Sequence, residues 1–356
     1  MSARIWLAGG ALVLVGLVLA AGFAFRYWQG KALYEPGSVS GRPDLAPPAQ
    51  QGIQSDKWNV APGINLHHFE VGSGEDVLVV HGGPGAPPLS PWKAAALTPG
   101  LRWVFYHQRG CGASTRPIDR LTDRNMYRDI QRVEGTLGLG AQVADIEGIR
   151  RILGREKLVL LGHSYGALIA SLYAAEFPEH VRALILVSPA NLVVMPGSGP
   201  DLFQRVGQRM PPSLAPEYAD YLREYFDFRS LFKKDEQSLS VFYAQFRRYY
   251  GAAAGEGAPA SQAAARGPEL GGWMTMAVYL SGGRRHDWRP ALRRVGAPVL
   301  VLHGAQDLQP ERDSRAFASY FPAARVEVLP GAGHFAFDQQ PRAFADAVAG
   351  FLAALD

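Results

Sequence analysis

The stretch LVLLGHSYGALIA, residues 158–170, constrains the fold more than any other part of this sequence. A short apolar run of this kind predicts a buried strand, and the small and apolar residues after it predict a helix. Between them, Gly162 and Gly166 flank Ser164 in the pattern G-x-S-x-G, which is typical of a sharp turn that presents a serine nucleophile. Glycine and serine are common in turns for steric reasons alone, so the nucleophile hypothesis requires chemical partners elsewhere in the chain.

Strand and helix patterns alternate along most of the chain. Apolar runs that end in glycines or polar loops predict strands at residues 64–71, 76–81, 102–106, 157–161, 182–187, 298–302 and 325–329. Helical spacing of apolar residues predicts helices at residues 143–153, 165–176 and 342–355. Apolar strands that alternate with helices predict an α/β fold, in which helices cover both faces of a mostly parallel sheet.

The alternation is interrupted between residues 191 and 287, where the chain is helical in character and rich in aromatic residues. An insertion at this point of an α/β sheet lies above the edge where strands end. We therefore expect a helical cap over a binding site, with an extra structural lobe as the alternative, and a core formed by residues 63–190 and 288–356. Within the insertion, the low-complexity segment 251–267 predicts a mobile loop.

Residues 1–28 predict a segment for export or membrane attachment. The run from Ile5 to Phe25 carries no charge and is long enough to cross the hydrocarbon core of a bilayer as a helix. We expect an uncleaved transmembrane anchor with the globular domain outside the cytoplasm; signal cleavage near Ala20, which releases a secreted protein, is the alternative. Residues 29–62 are rich in Pro, Gly, Ser and Gln and predict a linker between the membrane and the folded domain.

The composition excludes several other classes of function. The formal net charge is only +4 over 356 residues, and the arginines are scattered among acids, so no basic surface for nucleic acid is expected. The single cysteine, Cys111, excludes an intrachain disulfide and a thiolate zinc site, and is expected to be a small turn residue. No spacing of histidines and carboxylates suggests a metal, and no cofactor is expected.

Partners for Ser164 occur in the chain order that a nucleophile turn on an α/β sheet requires, which is serine, acid, histidine. Asp307 lies in the loop HGAQDLQP, and His334 lies in the loop GAGHFAF. Each loop follows the end of an apolar strand, so all three side chains are expected to converge at one edge of the sheet. A serine hydroxyl needs such a base to take its proton, and the base needs an acid to orient it.

The loop HGGPG, residues 81–85, meets the remaining requirement of that chemistry, because it follows an early predicted strand. A tetrahedral intermediate is stabilised by backbone N–H groups, and glycines let the backbone approach the substrate closely. We assign the two oxyanion donors to Gly83 and to Tyr165, the residue after the predicted nucleophile.

Several other polar residues receive structural interpretations. His81, His163 and His303 adjoin glycine turns and are expected to support the scaffold. Asp145 and Glu147, on the predicted helix before the Ser164 strand, are expected to be solvated or to cap the helix.

Further motifs give the chain a resemblance to a known family. HGGPG at residues 81–85, HQRGCGAST at 107–115 and VADIEGIRRIL at 143–153 accompany the G-x-S-x-G turn. With them, the sequence from about residue 65 onward resembles the α/β-hydrolase superfamily and, more narrowly, the proline iminopeptidase group. That resemblance implies an eight-stranded sheet with a helical cap. It also implies a serine hydrolase that in many members releases an N-terminal residue, often proline, from short peptides or related amides.

Three features depart from that group's usual pattern. His107 stands where aspartate is usual, and Tyr165 stands where tryptophan usually follows the nucleophile. The cap also lacks the recognisable glutamate motifs with which iminopeptidases hold the free amine of a substrate.

We therefore expect a serine hydrolase that cleaves small amide, short-peptide or ester substrates, foremost an aminopeptidase of the proline iminopeptidase type. A carboxylesterase or lipase-like enzyme is the alternative, because the same triad serves esters and an aromatic cap suits an apolar acyl chain. A non-catalytic binding protein that keeps the hydrolase fold is a minor alternative.

Overall fold

The computed structural model describes residues 30–42, 45–47, 51, 56–255 and 269–355. The predicted membrane anchor, residues 1–28, and most of the low-complexity segment 251–267 lie outside these residues. Within the described part of the chain, no helix combines the length and the hydropathy that a membrane crossing needs. The transmembrane anchor therefore stays a prediction.

The described residues form ten strands, and eight of them make the sheet at the centre of the molecule. In chain order the strands are β1 (Lys57–Ala61), β2 (Ile64–Gly72), β3 (Gly74–Val80), β4 (Gly100–Tyr106), β5 (Leu158–His163), β6 (Val181–Val187), β7 (Val194–Met195), β8 (His286–Asp287), β9 (Val299–Gly304) and β10 (Ala324–Leu329). The order across the sheet is β1-β2-β4-β3-β5-β6-β9-β10, and β7 pairs separately with β8. Strand β2 is antiparallel to both neighbours, and the remaining pairs of the sheet are parallel. The predicted mostly parallel sheet is confirmed.

Helices cover both faces of this sheet. In chain order they are α1 (Met126–Leu137), α2 (Leu139–Ile152), α3 (Tyr165–Glu176), α4 (Leu202–Gln208), α5 (Ala215–Tyr225), α6 (Phe228–Leu231), α7 (Glu236–Ala244), α8 (Phe246–Ala254), α9 (Trp273–Gly282), α10 (Arg289–Leu292), α11 (Glu311–Ala318), α12 (Ala336–Gln339) and α13 (Pro341–Ala353). Short 3₁₀ helices occupy Lys93–Leu97 and Pro178–His180.

The residue pattern of the strands explains why both faces need cover. In β3, Leu78 and Val80 join the apolar cluster that contains residues of α2 and α3. Val77 and Val79 join the opposite cluster, which contains residues of α13. This alternation follows from the period of two in a strand, and it places one apolar layer on each side of the sheet.

The chain between β6 and β9 builds a third apolar cluster, which we call the cap core. Tyr221, Leu239 and Trp273 are buried in it, and α1 of the main domain contributes Ile130 and Val133. Strands β7 and β8 pair where this insertion leaves and re-enters the main domain. The insertion is therefore held both by its own apolar residues and by a short ladder at its base.

The structure contradicts the linker prediction for part of residues 29–62. Residues 57–61 form the edge strand β1, and residues 30–42, here called the N-terminal strap, pack on the folded domain. The strap buries Ala32, Tyr34 and Val39. Its backbone N–H groups at residues 33 and 34 donate hydrogen bonds to the carbonyl oxygen of Ser281 in α9.

The buried carboxylate of Glu176, in the last turn of α3, holds the strap in place. It accepts a hydrogen bond from the Tyr34 hydroxyl at 2.9 Å. It also accepts hydrogen bonds from the backbone N–H groups of Gly37, Val39 and Ser40, at 2.8, 3.2 and 3.0 Å. The acceptor lies 136 to 142 residues further along the chain than its donors, so local composition gave no sign of it.

Replacing Glu176 by alanine is expected to lower the free energy of unfolding by about 2–4 kcal/mol, because the buried Tyr34 hydroxyl and the buried Val39 N–H lose their acceptor. Urea denaturation of the wild-type and Glu176→Ala proteins measures this change. Glu179→Ala is the matched control, because the Glu179 side chain is 63% exposed; it is expected to change the free energy by less than about 0.5 kcal/mol. Equal stabilities for the two variants would contradict the structural role of Glu176.

Candidate active site

Ser164 lies between β5 and α3, with backbone angles of φ 53° and ψ −117°. A positive φ is strained for a residue with a Cβ, so the surrounding packing must hold it. A Cβ on Gly166 would lie 2.0 Å from the carbonyl oxygen of Val80, and a Cβ on Gly162 would lie 2.5 Å from the Cα of Ala167. The G-x-S-x-G pattern is thus required by the close contact of α3 with β3 and β5.

Asp307 and His334 lie side by side in the loops after β9 and β10. The Nδ1–H of His334 donates a hydrogen bond to Oδ2 of Asp307 at 2.8 Å. The other carboxylate oxygen of Asp307 accepts the backbone N–H of Gln309 at 3.0 Å. Burial alone raises the pKa of Asp307, but His334 and these hydrogen bonds outweigh it, and the pKa lies below its ordinary value. Asp307 is therefore ionised, and Nε2 of His334 is left as the acceptor on the opposite side of the ring.

The loop after β3 brings Gly82 and Gly83 against the same turn. A Cβ on Gly82 would lie 2.9 Å from the Cβ of Ser164, so only glycine permits this approach. Gly82, Gly83, Ser164 and His334 all line one cavity. The loop is therefore placed where a backbone N–H can face an atom bound to Ser164.

Tyr165 has separate roles for its backbone and its side chain. It is the first residue of α3, so its N–H has no partner inside the helix. Its buried ring lies against α9, where the hydroxyl donates to the carbonyl oxygen of Val278 at 3.3 Å. Tyr165 is therefore accommodated in the packing of α3 on α9.

The cavity has a volume of about 190 Å³, and the cap and the main domain both contribute to its wall. The cap contributes these aromatic residues: Phe203, Tyr221, Tyr225, Tyr243, Phe246, Tyr250 and Tyr279. This is smaller than the roughly 300 Å³ at the lower end of pockets for drug-sized ligands, so the space suits a small substrate. Within the described residues, no cluster of histidine, cysteine, aspartate and glutamate is arranged to hold a metal.

The aromatic character of the cap is predictable from the sequence, but several residues of the cavity wall are not. Phe246, Arg247 and Tyr250 of α8 line the cavity, as do Gly251 and Ala254. These five residues recur at separations of three and four, which is the spacing of one helix face. That spacing was visible in the sequence, but nothing in it indicated that the face turns toward Ser164.

Three buried histidines hold the loops of the site. His81 accepts the backbone N–H of Gln108 at Nε2, at 3.1 Å, and donates from Nδ1 to its neighbour's carbonyl oxygen. His163 donates from Nε2 to the carbonyl oxygen of His334 at 2.9 Å. His107 accepts the N–H of Ala113 at 3.0 Å and donates from Nε2 to the carbonyl oxygen of Pro88, a residue of the cavity wall, at 3.0 Å. The structural interpretation of His81 and His163 therefore agrees with their contacts.

Burial keeps these three rings neutral. It lowers the pKa of His81 and of His163 to about 3. It lowers the pKa of His107 to about 4. His81 and His107 each accept a hydrogen bond at one ring nitrogen and donate from the other, as a neutral imidazole does. His163 donates from Nε2.

The interpretation of Asp145 and Glu147 as solvated or capping residues is wrong. Asp145 is buried and forms a two-point ion pair with Arg109, from the loop that follows β4. Glu147 is also buried, and it pairs with Arg150 at 2.7 Å and accepts the hydroxyl of Tyr173 at 3.0 Å. A helix pattern could not reveal the partner of Asp145, because Arg109 comes from a loop, whereas Arg150 lies three residues after Glu147 on the same helix.

The neutral histidines predict a loss of stability in mild acid. Their folded pKa values lie below the ordinary value of about 6.5, so the unfolded chain binds protons first. Stability is therefore complete above about pH 6.5 and falls as the pH drops toward 4, by about 1.4 kcal/mol per pH unit for each ring. Thermal or urea unfolding between pH 7 and pH 5.5 measures this slope.

The variant His107→Asn isolates one of these rings. The amide oxygen of asparagine can take the place of Nδ1 and accept the Ala113 N–H without titrating in this range, whereas the hydrogen bond to the Pro88 carbonyl oxygen is lost. The pH dependence of the free energy of unfolding is expected to weaken by an amount that corresponds to about one bound proton per molecule. An unchanged slope would contradict the assignment of a neutral ring to His107.

Comparisons with known proteins place this chain among hydrolases. A family model described as alpha/beta hydrolase fold matches residues 77–341. A proline iminopeptidase from Neisseria meningitidis (serogroup A / serotype 4A) is 30% identical over 285 residues, which cover 74% of this chain and 84% of the relative. A 2-hydroxymuconate semialdehyde hydrolase from Pseudomonas sp. (strain CF600) is 25% identical over 301 residues, which cover 83% of this chain and 93% of the relative.

Among solved structures, a hydrolase from Pseudomonas aeruginosa matches with a TM-score of 0.58 and 21% identity, over 83% of this chain and 97% of that one. At this identity the likeness establishes the fold alone. The family model and the iminopeptidase relative each span about three quarters of the sequence. The chain therefore belongs to the α/β-hydrolase family, as a hydrolase that is similar to the proline iminopeptidases.

Proposed function

We propose that this protein is a serine hydrolase that cleaves small amide or ester substrates through an acyl-enzyme. The observation that carries the proposal is the hydrogen bond of 2.8 Å between His334 and Asp307, in a cavity that Ser164 also lines. In the proposed reaction, Nε2 of His334 takes the proton of Ser164 while the serine oxygen attacks the substrate carbonyl carbon. Asp307 holds the ring in the required tautomer and stabilises the imidazolium that forms.

The rest of the reaction follows from the same groups. The backbone N–H groups of Gly83 and Tyr165 stabilise the oxyanion of each tetrahedral intermediate. The imidazolium of His334 returns its proton to the leaving amine or alkoxide as the bond to carbon breaks. A water molecule, deprotonated by His334, then attacks the acyl-enzyme, and the proton returns to Ser164 as the acid product leaves.

The leading subtype is an aminopeptidase of the proline iminopeptidase type. It is supported by the iminopeptidase relative at 30% identity and by the motifs HGGPG and G-x-S-x-G. The cavity of about 190 Å³ also suits a single small residue.

A carboxylesterase is the second candidate, and one observation favours it. No aspartate or glutamate is among the described residues of the cavity wall, where aromatic rings predominate. A free amine buried in such a wall needs an anionic partner, whereas an apolar acyl group needs none.

A substrate panel tests the subtype. Proline and alanine 4-nitroanilides are compared with 4-nitrophenyl acetate and butyrate, using hydrolysis rates of the purified protein. Turnover of the proline anilide is expected for the leading subtype. Turnover of the esters without either anilide would contradict the iminopeptidase and leave the esterase.

Substitution of the catalytic residues tests the mechanism. Ser164→Ala is expected to abolish labelling by a fluorophosphonate and to lower kcat by on the order of 10⁶-fold. Asp307→Asn is expected to lower kcat by on the order of 10⁴-fold, because the ring loses its oriented tautomer. Asp313→Asn is the matched control, since Asp313 pairs with Arg205 away from the cavity.

Two results would contradict this proposal. A folded wild-type protein that resists the fluorophosphonate and cleaves no substrate would favour a binding protein on a hydrolase fold. Retained activity in Asp307→Asn, with Asp313→Asn also active, would remove Asp307 from the mechanism.

A further inference from the structure

Ser188, which directly follows β6, has an unusual backbone conformation. Its φ of 43° is positive, and among the described residues other than glycine only Ser164 shares that feature. A residue with a side chain is strained there, whereas glycine is not, and such strained residues cluster at functional sites. The strain at Ser164 belongs to the nucleophile turn. No step of the proposed mechanism uses Ser188.

Backbone hydrogen bonds fix Ser188 between the nucleophile turn and the loop of Asp307. The N–H of Ser188 donates to the carbonyl oxygen of Leu302 in β9 at 2.8 Å. The carbonyl oxygen of the preceding residue, Val187, accepts the N–H of Ser164 at 2.9 Å. Strand β9 ends shortly after Leu302, and Asp307 follows in the loop that leaves this strand. Ser188 therefore lies at the edge of the sheet that carries both catalytic side chains.

The hydroxyl of Ser188 is buried and unsatisfied. The residue is 1% exposed, and its Oγ makes no hydrogen bond within the part of the chain that the structure describes. Ser188 is also absent from the described residues of the cavity wall, so it is not placed to contact a substrate. A buried hydroxyl without a partner lowers stability, and glycine or alanine would avoid that loss. Packing alone therefore does not account for a serine here.

The carboxylate of Asp307 can accept a further donor. Its side chain is fully buried, so solvent does not supply one. Oδ2 accepts the Nδ1–H of His334, and Oδ1 accepts the N–H of Gln309, which leaves lone pairs on both oxygens. Burial raises the pKa of Asp307, whereas His334, the Gln309 N–H and the Ser188 hydroxyl lower it. The hydroxyl therefore already interacts with this carboxylate.

We propose that Ser188 is a positioning residue of the Ser-His-Asp triad, whose hydroxyl donates to the carboxylate of Asp307 and keeps it aligned with the Nδ1–H of His334. Hydrogen bonds between catalytic groups are often long in a free enzyme and shorten as charge develops in the transition state. A third donor restricts rotation of the carboxylate, so the ring keeps its orientation while the imidazolium forms. The effect on turnover rests on the proposed serine hydrolase function, but the contact itself does not.

Two variants remove the hydroxyl with different effects on the backbone. Ser188→Ala keeps the strain of a positive φ, whereas Ser188→Gly relieves it. Both are expected to lower kcat for the best substrate of the panel about ten- to a hundredfold, which is the worth of a hydrogen bond to a charged group. KM is expected to stay nearly unchanged. Urea denaturation confirms folding, and Ser188→Gly is expected to be at least as stable as Ser188→Ala.

The glycine variant separates the hydroxyl from the backbone. If Ser188 only supports the turn, Ser188→Gly keeps the kcat of the wild type, and that result would overturn the proposal. The matched control is Ser171→Ala, which removes another buried hydroxyl that donates to the carbonyl oxygen of Ala167 at 2.7 Å within α3. It is expected to keep kcat within about twofold of the wild type. A loss in this control as large as in Ser188→Ala would also count against a specific role.

A double-mutant cycle tests whether Ser188 acts through Asp307. On the Asp307→Ala background no acceptor is left, so adding Ser188→Ala is expected to change the residual kcat by less than about twofold. A further loss as large as in the parent would show that Ser188 acts by another route and would overturn the proposal.

A spectroscopic measurement requires no turnover. The Nδ1–H resonance of His334 is recorded by proton NMR in water at neutral pH, and Ser164→Ala and Asp307→Ala assist its assignment. Ser188→Ala is expected to shift this resonance and to speed exchange of the proton with water, whereas Ser171→Ala is expected to change neither. An unchanged resonance and exchange rate in Ser188→Ala would contradict the contact with Asp307.

The two proposals fail in different ways. If the wild type cleaves no substrate of the panel and resists the fluorophosphonate, the hydrolase function is wrong, and the NMR comparison alone then decides whether Ser188 binds Asp307. Normal turnover in both Ser188 variants overturns the positioning role and leaves the hydrolase function standing.

Discussion

The close contact between α3 and the end of β3 is the constraint on which the rest of the site depends. Gly166 lies so near the carbonyl oxygen of Val80 that no side chain fits between them. That contact fixes where α3 begins, and hence the backbone of Ser164 and the direction of the first free N–H of the helix. It also brings Gly82 beside Ser164, so the serine and the loop after β3 are positioned by a single packing requirement.

Around this turn, each buried titratable group is charged or neutral according to the partners that compensate for its loss of water. Asp307 is buried but stays ionised, because His334 and a backbone N–H bind its oxygens. His81 and His163 are buried without a carboxylate and stay neutral, so they orient loops without adding charge.

Much of the fold and of the candidate site was predictable, because it depends on local patterns. Apolar runs predicted the parallel strands, and the loops after β9 and β10 carried Asp307 and His334 in the expected order. The carboxyl ends of parallel strands share one edge, so chain order was enough to predict that these side chains converge.

The remaining features depend on contacts between distant parts of the chain. Composition suggested that residues 30–42 form part of a linker. Donors in this segment bind the carboxylate of Glu176, and the local sequence does not reveal that partner. In the same way, Asp145 is buried because Arg109 reaches it from another loop. The shape of the cavity likewise depends on which face of α8 turns inward, and helical period alone does not determine that direction.

The N-terminal strap has a mechanical consequence. Its backbone is bonded to Ser281 in α9, and α9 also supplies Thr275 and Tyr279 to the cavity wall. A pulling force applied at residue 30 would therefore reach these hydrogen bonds, and the helix that lines the cavity, before it reached the sheet.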